Sequence, residues 1–326
     1  MTEPLWAWFA FIAFVIVMLA IDLGIFQRKA HVVRPQEAAL WTATWVTLSL
    51  VLGGIFYFWL GQEKAIEYIT GYVLEWSLSV DNIFVFVLVF TYFKVPFKYQ
   101  QRVLLWGILG ALVLRGIMIL VGVALIEAFG WILYVFGAFL LITGLRMLFS
   151  KGDDDTDLEK NPALRLVRRL IPVSSEYDGQ KFFTVKNGVR MATPLLLVLV
   201  VIEFTDLLFA VDSIPAIFAV TTDGFIVFTA SIMAVLGLRS MYFLLAHVVH
   251  RFVYLKTGLA LILVYIGCKM LLLDVFHIPS LVSLGVILAV LAVSIVASLM
   301  FGKPEEPRQV VGAEAEAEVE AGADAG

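Results

Sequence analysis

The sequence predicts an all-α, polytopic membrane protein. Of its 326 residues, 61% are hydrophobic and only 15% are charged, and the mean hydropathy is +0.96. A soluble domain has roughly half apolar and a quarter charged residues, so this composition excludes an ordinary soluble protein. The apolar residues also gather in stretches of about 20, the length that crosses a bilayer as a helix.

Nine apolar windows predict nine spanning helices. They lie at about residues 5–26, 40–60, 69–93, 103–125, 131–149, 194–220, 226–249, 257–275 and 279–301. Lys and Arg concentrate in alternate connections, namely those after windows one, three, five, seven and nine. Because cytoplasmic connections are rich in basic residues, we expect the N-terminus outside and the C-terminus in the cytoplasm.

The remaining segments suggest one membrane domain with soluble attachments. We expect a transmembrane domain over residues 1–302, with a cytoplasmic loop at about 150–193, and a disordered acidic tail at 303–326.

Cys268 is the only cysteine, which excludes an intramolecular disulfide. The chain has no Walker or dinucleotide-binding glycine motif, and we expect no enzymatic activity. The expected partner is the lipid bilayer, not nucleic acid; the sequence gives no sign of oligomeric state.

An internal repeat relates the two halves of the membrane domain. The segment "VDNIFVF" at 80–86 resembles "VDSIPAIF" at 211–218, and "LGALVLRGIMIL" at 109–120 resembles "MAVLGLRSMYFL" at 233–244. The repeat pairs Glu75 with Asp206, Asp81 with Asp212, and Arg115 with Arg239. Each unit, about 69–149 and 194–275, has three spans, so the second must enter the membrane from the opposite side. Inverted repeats of this kind are typical of secondary transporters with a substrate site near the midplane.

Several carboxylates lie inside these apolar windows. An ionised carboxylate costs several kcal/mol or more to bury without compensation, so such residues indicate function by default. The candidate metal ligands are Glu75, Asp81, Asn82, Glu203, Asp206, Asp212 and Ser213, and the residues expected around them are Asp22, Ser79, Arg115 and Arg239. Oxygen donors without Cys or His favour Mg²⁺, Ca²⁺ or Mn²⁺. We also expect an irregular helix near Pro215, which cannot donate to the carbonyl of Val211.

A structural role is the alternative for the same acids. They could pair with Arg115, Arg239, Arg146 or Lys269 and lock the helix bundle without binding any ion. If the acids bind an ion instead, they also provide a way to couple transport to protons. Because a carboxylate binds either a proton or a metal ion, competition between the two would couple proton entry to metal exit.

Long segments of the chain resemble the TerC family of bacterial integral membrane proteins. Within that family they are most similar to the Alx-type branch. They include "TGYVLEWSLSVDN", "ILYVFGAFLLITG" and "VIEFTDLLFAVDSIPAIFAVTTD". The resemblance implies export of Mn²⁺ from the cytoplasm across the bacterial inner membrane, with the seven candidate ligands matching the family's acidic motifs and no permanently bound cofactor. Family members are also described as tellurium-resistance proteins and redox modulators. The alternative function is therefore a membrane stress-response or scaffold protein without transport activity, although a single cysteine gives a redox role no direct support.

Overall fold

A computed structural model describes most of the chain. The described residues are 4–26, 35–149, 164–165, 167, 169, 171–174, 176–186, 188–246, 254–276 and 278–301. Much of the connection after residue 149 and the whole acidic tail lie outside them. The expectation of a disordered tail at 303–326 therefore stays a prediction.

The described chain is dominated by helices. They are α1 (Leu5–Phe26), α2 (Pro35–Trp59), α3 (Gln62–Tyr92), α4 (Phe97–Ala128), α5 (Ile132–Phe149), α6 (Pro194–Phe218), α7 (Gly224–Leu236), α8 (Leu238–Leu245), α9 (Leu255–Leu271) and α10 (Ser280–Phe301). A single antiparallel hairpin, β1 (Phe183–Lys186) and β2 (Val189–Ala192), precedes α6. Each of the nine apolar windows coincides with one of these helices or with the pair α7 and α8. The predicted all-α membrane fold is confirmed.

The predicted count of nine spans is not confirmed. Six described helices are long and apolar enough to cross a membrane, namely α2, α3, α4, α5, α6 and α10. The bent pair of α7 and α8 makes a seventh if it counts as one span. In the first window the described side chains end at Ile21 and make up a shorter apolar helix, Leu5–Ile21, and α9 has 17 residues. Length and composition therefore support six or seven spans within the described residues.

The break in the second half lies at a different place from the one expected. Helix α6 continues through Pro215 and ends three residues later at Phe218, because a proline near a helix end removes only one backbone hydrogen bond there. The chain bends instead by 41° between α7 and α8, at Gly237. At this bend the hydroxyl of Ser240 donates to the carbonyl oxygen of Gly237 at 3.0 Å.

The helices of the two predicted repeats interlock. Helix α3 packs along α7, helix α4 packs along α6, and α5 packs along α9 more extensively than any other pair of elements. Helices α3 and α6 also pack on each other. In the predicted repeats α3 corresponds to α6, α4 to α7 and α5 to α9. Exchanging the repeats therefore turns the α3–α7 contact into the α6–α4 contact, and it leaves the α5–α9 and α3–α6 contacts the same. The packing is therefore reciprocal, while the inverted two-fold axis itself stays a prediction.

Glycines allow the close approach of α5 and α9. A Cβ atom added at Gly267 would lie 2.6 Å from the backbone nitrogen of Leu141, and one at Gly137 would lie 3.2 Å from the carbonyl oxygen of Gly267. Small residues at such contacts bring helix backbones together in membranes, where dispersion forces replace the hydrophobic effect. The third helix of each predicted repeat is thus fixed directly to its counterpart.

The hairpin region is anchored to the end of α3. The hydroxyl of Tyr177 donates to the carbonyl oxygen of Phe93 at 2.7 Å. Burial raises the pKa of Tyr177 to about 12. Thr193, directly before α6, donates through its hydroxyl to the carbonyl oxygen of Lys181 at 2.7 Å. The connection is thereby tied to both halves of the helical domain.

Candidate ion-binding site

A polar cluster lies at mid-span between the two predicted repeats. Glu75 is near the middle of the 31-residue α3, and Asp206 is near the middle of the 25-residue α6. Both side chains are buried, as is that of Arg115 on α4. The sequence places charged residues at these depths, and the helix packing turns them toward one another.

Arg115 is the centre of this cluster. Its side chain is 1% exposed, and its Nη1 atom donates to Oε2 of Glu75. Its Nη2 atom lies 3.6 Å from Oδ1 of Asp206, which also accepts a hydrogen bond of 2.9 Å from Nδ2 of Asn82. Arg115 therefore joins two carboxylates that occupy equivalent positions in the predicted repeats.

Two hydroxyl groups complete the contacts around Arg115 and Glu75. Nη1 of Arg115 lies 3.5 Å from Oγ of Ser213, while the predicted role of Ser213 as a metal ligand stays a prediction. The hydroxyl of Ser231 on α7 donates to Oε1 of Glu75. Sequence reasoning missed Ser231, whose only signal is a hydroxyl eight residues before Arg239 in an otherwise apolar run. Side chains from four helices thus meet at this point.

Glu203 lies one turn from Asp206 on the same face of α6, and its carboxylate rests directly on Gly110 of α4. A Cβ atom at Gly110 would collide with the carboxylate oxygens of Glu203. Glycine is needed here for space, because any side chain would push the carboxylate away from α4. Gly110 was not among the predicted site residues, since a glycine in an apolar helix carries no chemical signal of its own.

Four buried oxygen atoms in this region have no hydrogen-bond partner among the described residues. They are Oγ of Ser79, Oδ1 of Asn82, Oε2 of Glu203 and Oδ2 of Asp206. Buried polar atoms are nearly always paired, so each exception requires a ligand, a water molecule or another explanation. Carboxylate, amide and hydroxyl oxygens are the donors that hard divalent cations prefer. The set is chemically suited to such an ion.

The predicted ligands do not all meet within the described part of the structure. Asp81 lies in α3 and Asp22 in α1, but their side chains are outside the described residues, so the expected approach of Asp81 to Asp212 stays a prediction. Asp212 is half-buried on α6 and forms no ion pair among the described side chains. Within the same residues, no three His, Cys, Asp or Glu side chains are close enough to bind a metal ion together.

The four basic residues that could neutralise the acids differ in their surroundings. Arg115 pairs with two acids, as the structural alternative requires. Lys269 is buried in α9 and donates to the hydroxyl of Ser283 at 2.9 Å, whereas Arg146 on α5 is exposed. Arg239 is buried on α8, just beyond the bend at Gly237. Of these bases, Arg115 is the one that the described contacts place inside the acidic cluster.

A cavity of about 590 Å³ opens at one end of the same helices. Its lining includes Glu63, Lys64, Glu67, Thr221, Lys269 and Ser280. Oε2 of Glu67 accepts hydrogen bonds from Thr221 at 2.6 Å and from Lys64 at 3.0 Å. This end includes the start of α3 and the end of α6, which the distribution of basic residues predicts to lie outside. We call this space the outer cavity.

A family model described as "Integral membrane protein TerC family" matches residues 60–306. The chain belongs to the TerC family. The match begins just before α3 and extends beyond α10, so it contains every residue of the mid-span cluster. The resemblance expected from the sequence motifs is thereby confirmed, and the chain is an integral, multi-pass membrane protein.

Similar proteins cover nearly the same length. The chain is 55% identical over 293 residues to an uncharacterized membrane protein, STKORF319, of Myxococcus xanthus, covering 90% of this chain and 92% of that one. It is 49% identical over 304 residues to the "Putative membrane-bound redox modulator Alx" of Escherichia coli K12, covering 90% and 94%. A membrane protein of Rickettsia bellii is 38% identical over 294 residues, covering 90% and 97%. No solved structure matches.

Proposed function

We propose that this protein is a secondary transporter that exports divalent metal ions, manganese in particular, from the cytoplasm. The observation that carries the proposal is the group of buried oxygens of Ser79, Asn82, Glu203 and Asp206 at mid-span, which have no partner among the described residues. These atoms lie where two halves of a predicted inverted repeat meet, which is the usual position of a transporter's substrate site.

The charges of the cluster favour a divalent cation. When ionised, Glu75, Glu203 and Asp206 carry three negative charges, and Arg115 supplies one positive charge among the described side chains around them. A buried excess of charge is costly unless a counter-ion compensates it. A divalent cation beside Asp206 and Glu203 would bring this described set to neutrality, which a monovalent ion would not.

Arg115 has a defined part in this proposal. Its guanidinium occupies the side of Asp206 that faces Glu75, and Oδ2 of Asp206 has no partner among the described residues. Arg115 therefore holds the two acids together. The arriving ion binds the free oxygens and shares the carboxylates with Arg115, so metal binding loosens the contact between the two halves.

The direction and the ion rest on further arguments. The donor atoms suit Mn²⁺, Mg²⁺ and Ca²⁺ alike, and manganese is chosen from these by the resemblance to the Alx-type branch. Protons compete with metal ions for the same carboxylates, so proton entry can drive metal exit. The location proposed is the bacterial inner membrane, with the N-terminus outside and the C-terminus in the cytoplasm.

A membrane stress-response protein without transport activity is the second candidate, favoured by the name of the Escherichia coli relative, a putative membrane-bound redox modulator. Its chemistry would have to use the single thiol of Cys268, half-buried in α9. The Cys268→Ser variant tests this second candidate, because any role that uses the thiol would be lost in it. The transport proposal expects unchanged manganese movement in this variant, because Cys268 lies outside the cluster.

The deciding experiment is manganese flux in reconstituted vesicles, with and without a pH gradient. We expect the purified protein to move Mn²⁺, a pH gradient to accelerate the movement, and Asp206→Asn to abolish it. Asp178→Asn is the matched control, because Asp178 lies in the hairpin region and pairs with Lys181. A folded wild-type protein that moves no Mn²⁺ under either condition would refute the proposal.

A further inference from the structure

Helix α3 runs antiparallel to α6 and contacts α6 and the turn that follows it at three successive depths. From mid-span to the outer cavity, the contacting pairs are Asn82 with Asp206, Gly71 with Ile217, and Glu67 with Thr221. The first pair belongs to the polar cluster and the third lines the outer cavity. The middle pair is apolar and separates them.

Ile217 fills the space left by the missing side chain of Gly71. Its side chain is 1% exposed, and its Cδ1 atom lies 2.9 Å from the position that a Cβ of Gly71 would take. The Cβ of Ala230 on α7 lies 3.4 Å from the same position. Ile217 is thus packed between α3 and α7 in a slot that exists only because residue 71 is glycine.

The slot lies on the direct line between the cavity and the acids. Glu67, Gly71 and Glu75 follow one another at four-residue intervals on one face of α3, with a rise of about 6 Å between neighbours. The cavity lining on this side reaches Glu67 and Ala219 and includes neither Gly71 nor Ile217. One apolar layer therefore closes the path from the outer cavity to Glu75.

We propose that Ile217, seated over Gly71, is the outer gate of the ion path. The inference rests on the proposed function, since a gate presupposes a solute that crosses. With Ile217 in its slot, an ion at the mid-span cluster has no passage to the outer cavity. Withdrawal of Ile217 from Gly71 joins the cavity to the oxygens of Asn82 and Asp206.

Pro215 makes the gate-bearing turn the weakest part of α6. It lies two residues before Ile217 and has no backbone N–H, so one hydrogen bond that would hold the last turn to the rest of the helix is missing. The turn can therefore shift as a unit while the part of α6 that carries Asp206 stays in place. This assigns a purpose to a proline through which α6 continues to Phe218.

Ile202 provides a matched control on the opposite side of the cluster. It lies on the same helix, toward the end of α6 predicted to be cytoplasmic, and its side chain is also 1% exposed. Like Ile217 it packs over a glycine, with its Cγ2 atom 3.2 Å from the Cβ position of Gly107 on α4. Truncation of Ile202 should disturb packing to a similar degree without opening the outer cavity.

Accessibility of an introduced thiol tests the gate. In a Cys268→Ser background, which has no other cysteine, Ser79→Cys reports on the cluster and Thr221→Cys on the outer cavity. A membrane-impermeant thiol reagent is applied on the side where Thr221→Cys reacts. We expect Ile217→Ala to increase the labelling rate of Ser79→Cys by about tenfold or more, because truncation shifts the population toward an open path. Ile202→Ala should leave that rate unchanged.

Two results would overturn the gate. One is an equal labelling rate of Ser79→Cys with and without Ile217→Ala while Thr221→Cys still reacts; the other is an equal increase with Ile202→Ala. If Ile217→Ala lowers the folded yield, Ile217→Val removes only the Cδ1 atom over Gly71 and should give a smaller increase in the same direction. The labelling needs no manganese, so its failure is distinct from failure of the transport proposal.

Discussion

Arg115 of α4 donates to Glu75 of α3 and lies 3.6 Å from Asp206 of α6, so one guanidinium joins equivalent acids of two predicted repeats. The side chains are nearly inaccessible to solvent. Removing one partner of a buried ion pair leaves a charge without compensation, which costs far more than the pair itself contributes. The structural and functional interpretations of the acids are therefore not exclusive, because the same contact can stabilise the fold and respond to an ion.

We predict that Arg115→Gln destabilises the protein by about 3–5 kcal/mol, because Glu75 and Asp206 lose their counter-ion. Unfolding of the purified protein in detergent, followed as a shift of the transition midpoint, measures the effect. Adding Glu75→Gln to Arg115→Gln should recover part of the loss. Arg102→Gln is the control, since Arg102 stacks on the Phe182 ring outside the cluster. Equal stability of the Arg115 and Arg102 variants would contradict the assignment.

We predict that Gly110→Ala weakens manganese transport by displacing the carboxylate of Glu203. The added methyl group would collide with that carboxylate, so the apparent affinity for Mn²⁺ should fall by about tenfold, as is typical when a residue that positions a metal ligand is changed. Gly116→Ala on the same helix is the control, because its methyl group would meet only Phe228 at an ordinary 3.5 Å. Transport curves that coincide for the two variants would show that the position of Glu203 is irrelevant.

We predict that Gly267→Ala destabilises the contact between α5 and α9. A methyl group there would lie 2.6 Å from the backbone nitrogen of Leu141. Overpacking of this kind typically destabilises a protein by about 1–3 kcal/mol. Gly285→Ala in α10 has no atom within 4 Å of its new methyl group and should leave the unfolding midpoint unchanged. Equal midpoints for both variants would mean that the glycine contact is dispensable.

The helical membrane class and the positions of the helices could be predicted because apolar stretches of spanning length leave few other folds. The number of spans was harder to predict. Helix α9 has 17 residues, which is short for a span, and the bend at Gly237 divides one apolar window into two helices. Proline is the stronger breaker by local chemistry, which is why the irregularity was expected at Pro215. It lies three residues before the end of α6, so the helix continues past it to Phe218 and only the last turn lacks a hydrogen bond.

The site was predictable where charge carries the signal. Glu75, Asp206 and Arg115 were identified because ionisable residues are rare inside apolar spans and because the repeat aligns them. Ser231 and Gly110 were missed, since serine and glycine are common in membrane helices and their roles depend on which helix faces them. Such facing relationships follow from tertiary packing, which a single sequence does not encode in a readable pattern.

The most direct test of the central claim is equilibrium Mn²⁺ binding by the purified protein between about pH 5.5 and pH 8.5, because carboxylate ligands must lose their protons to bind metal. We predict saturable binding whose affinity rises with pH until the ligand carboxylates are ionised, and its loss in Asp206→Asn but not in Asp178→Asn. Binding that is independent of pH over this range, or that persists unchanged in Asp206→Asn, would contradict the claim that the mid-span carboxylates bind the ion.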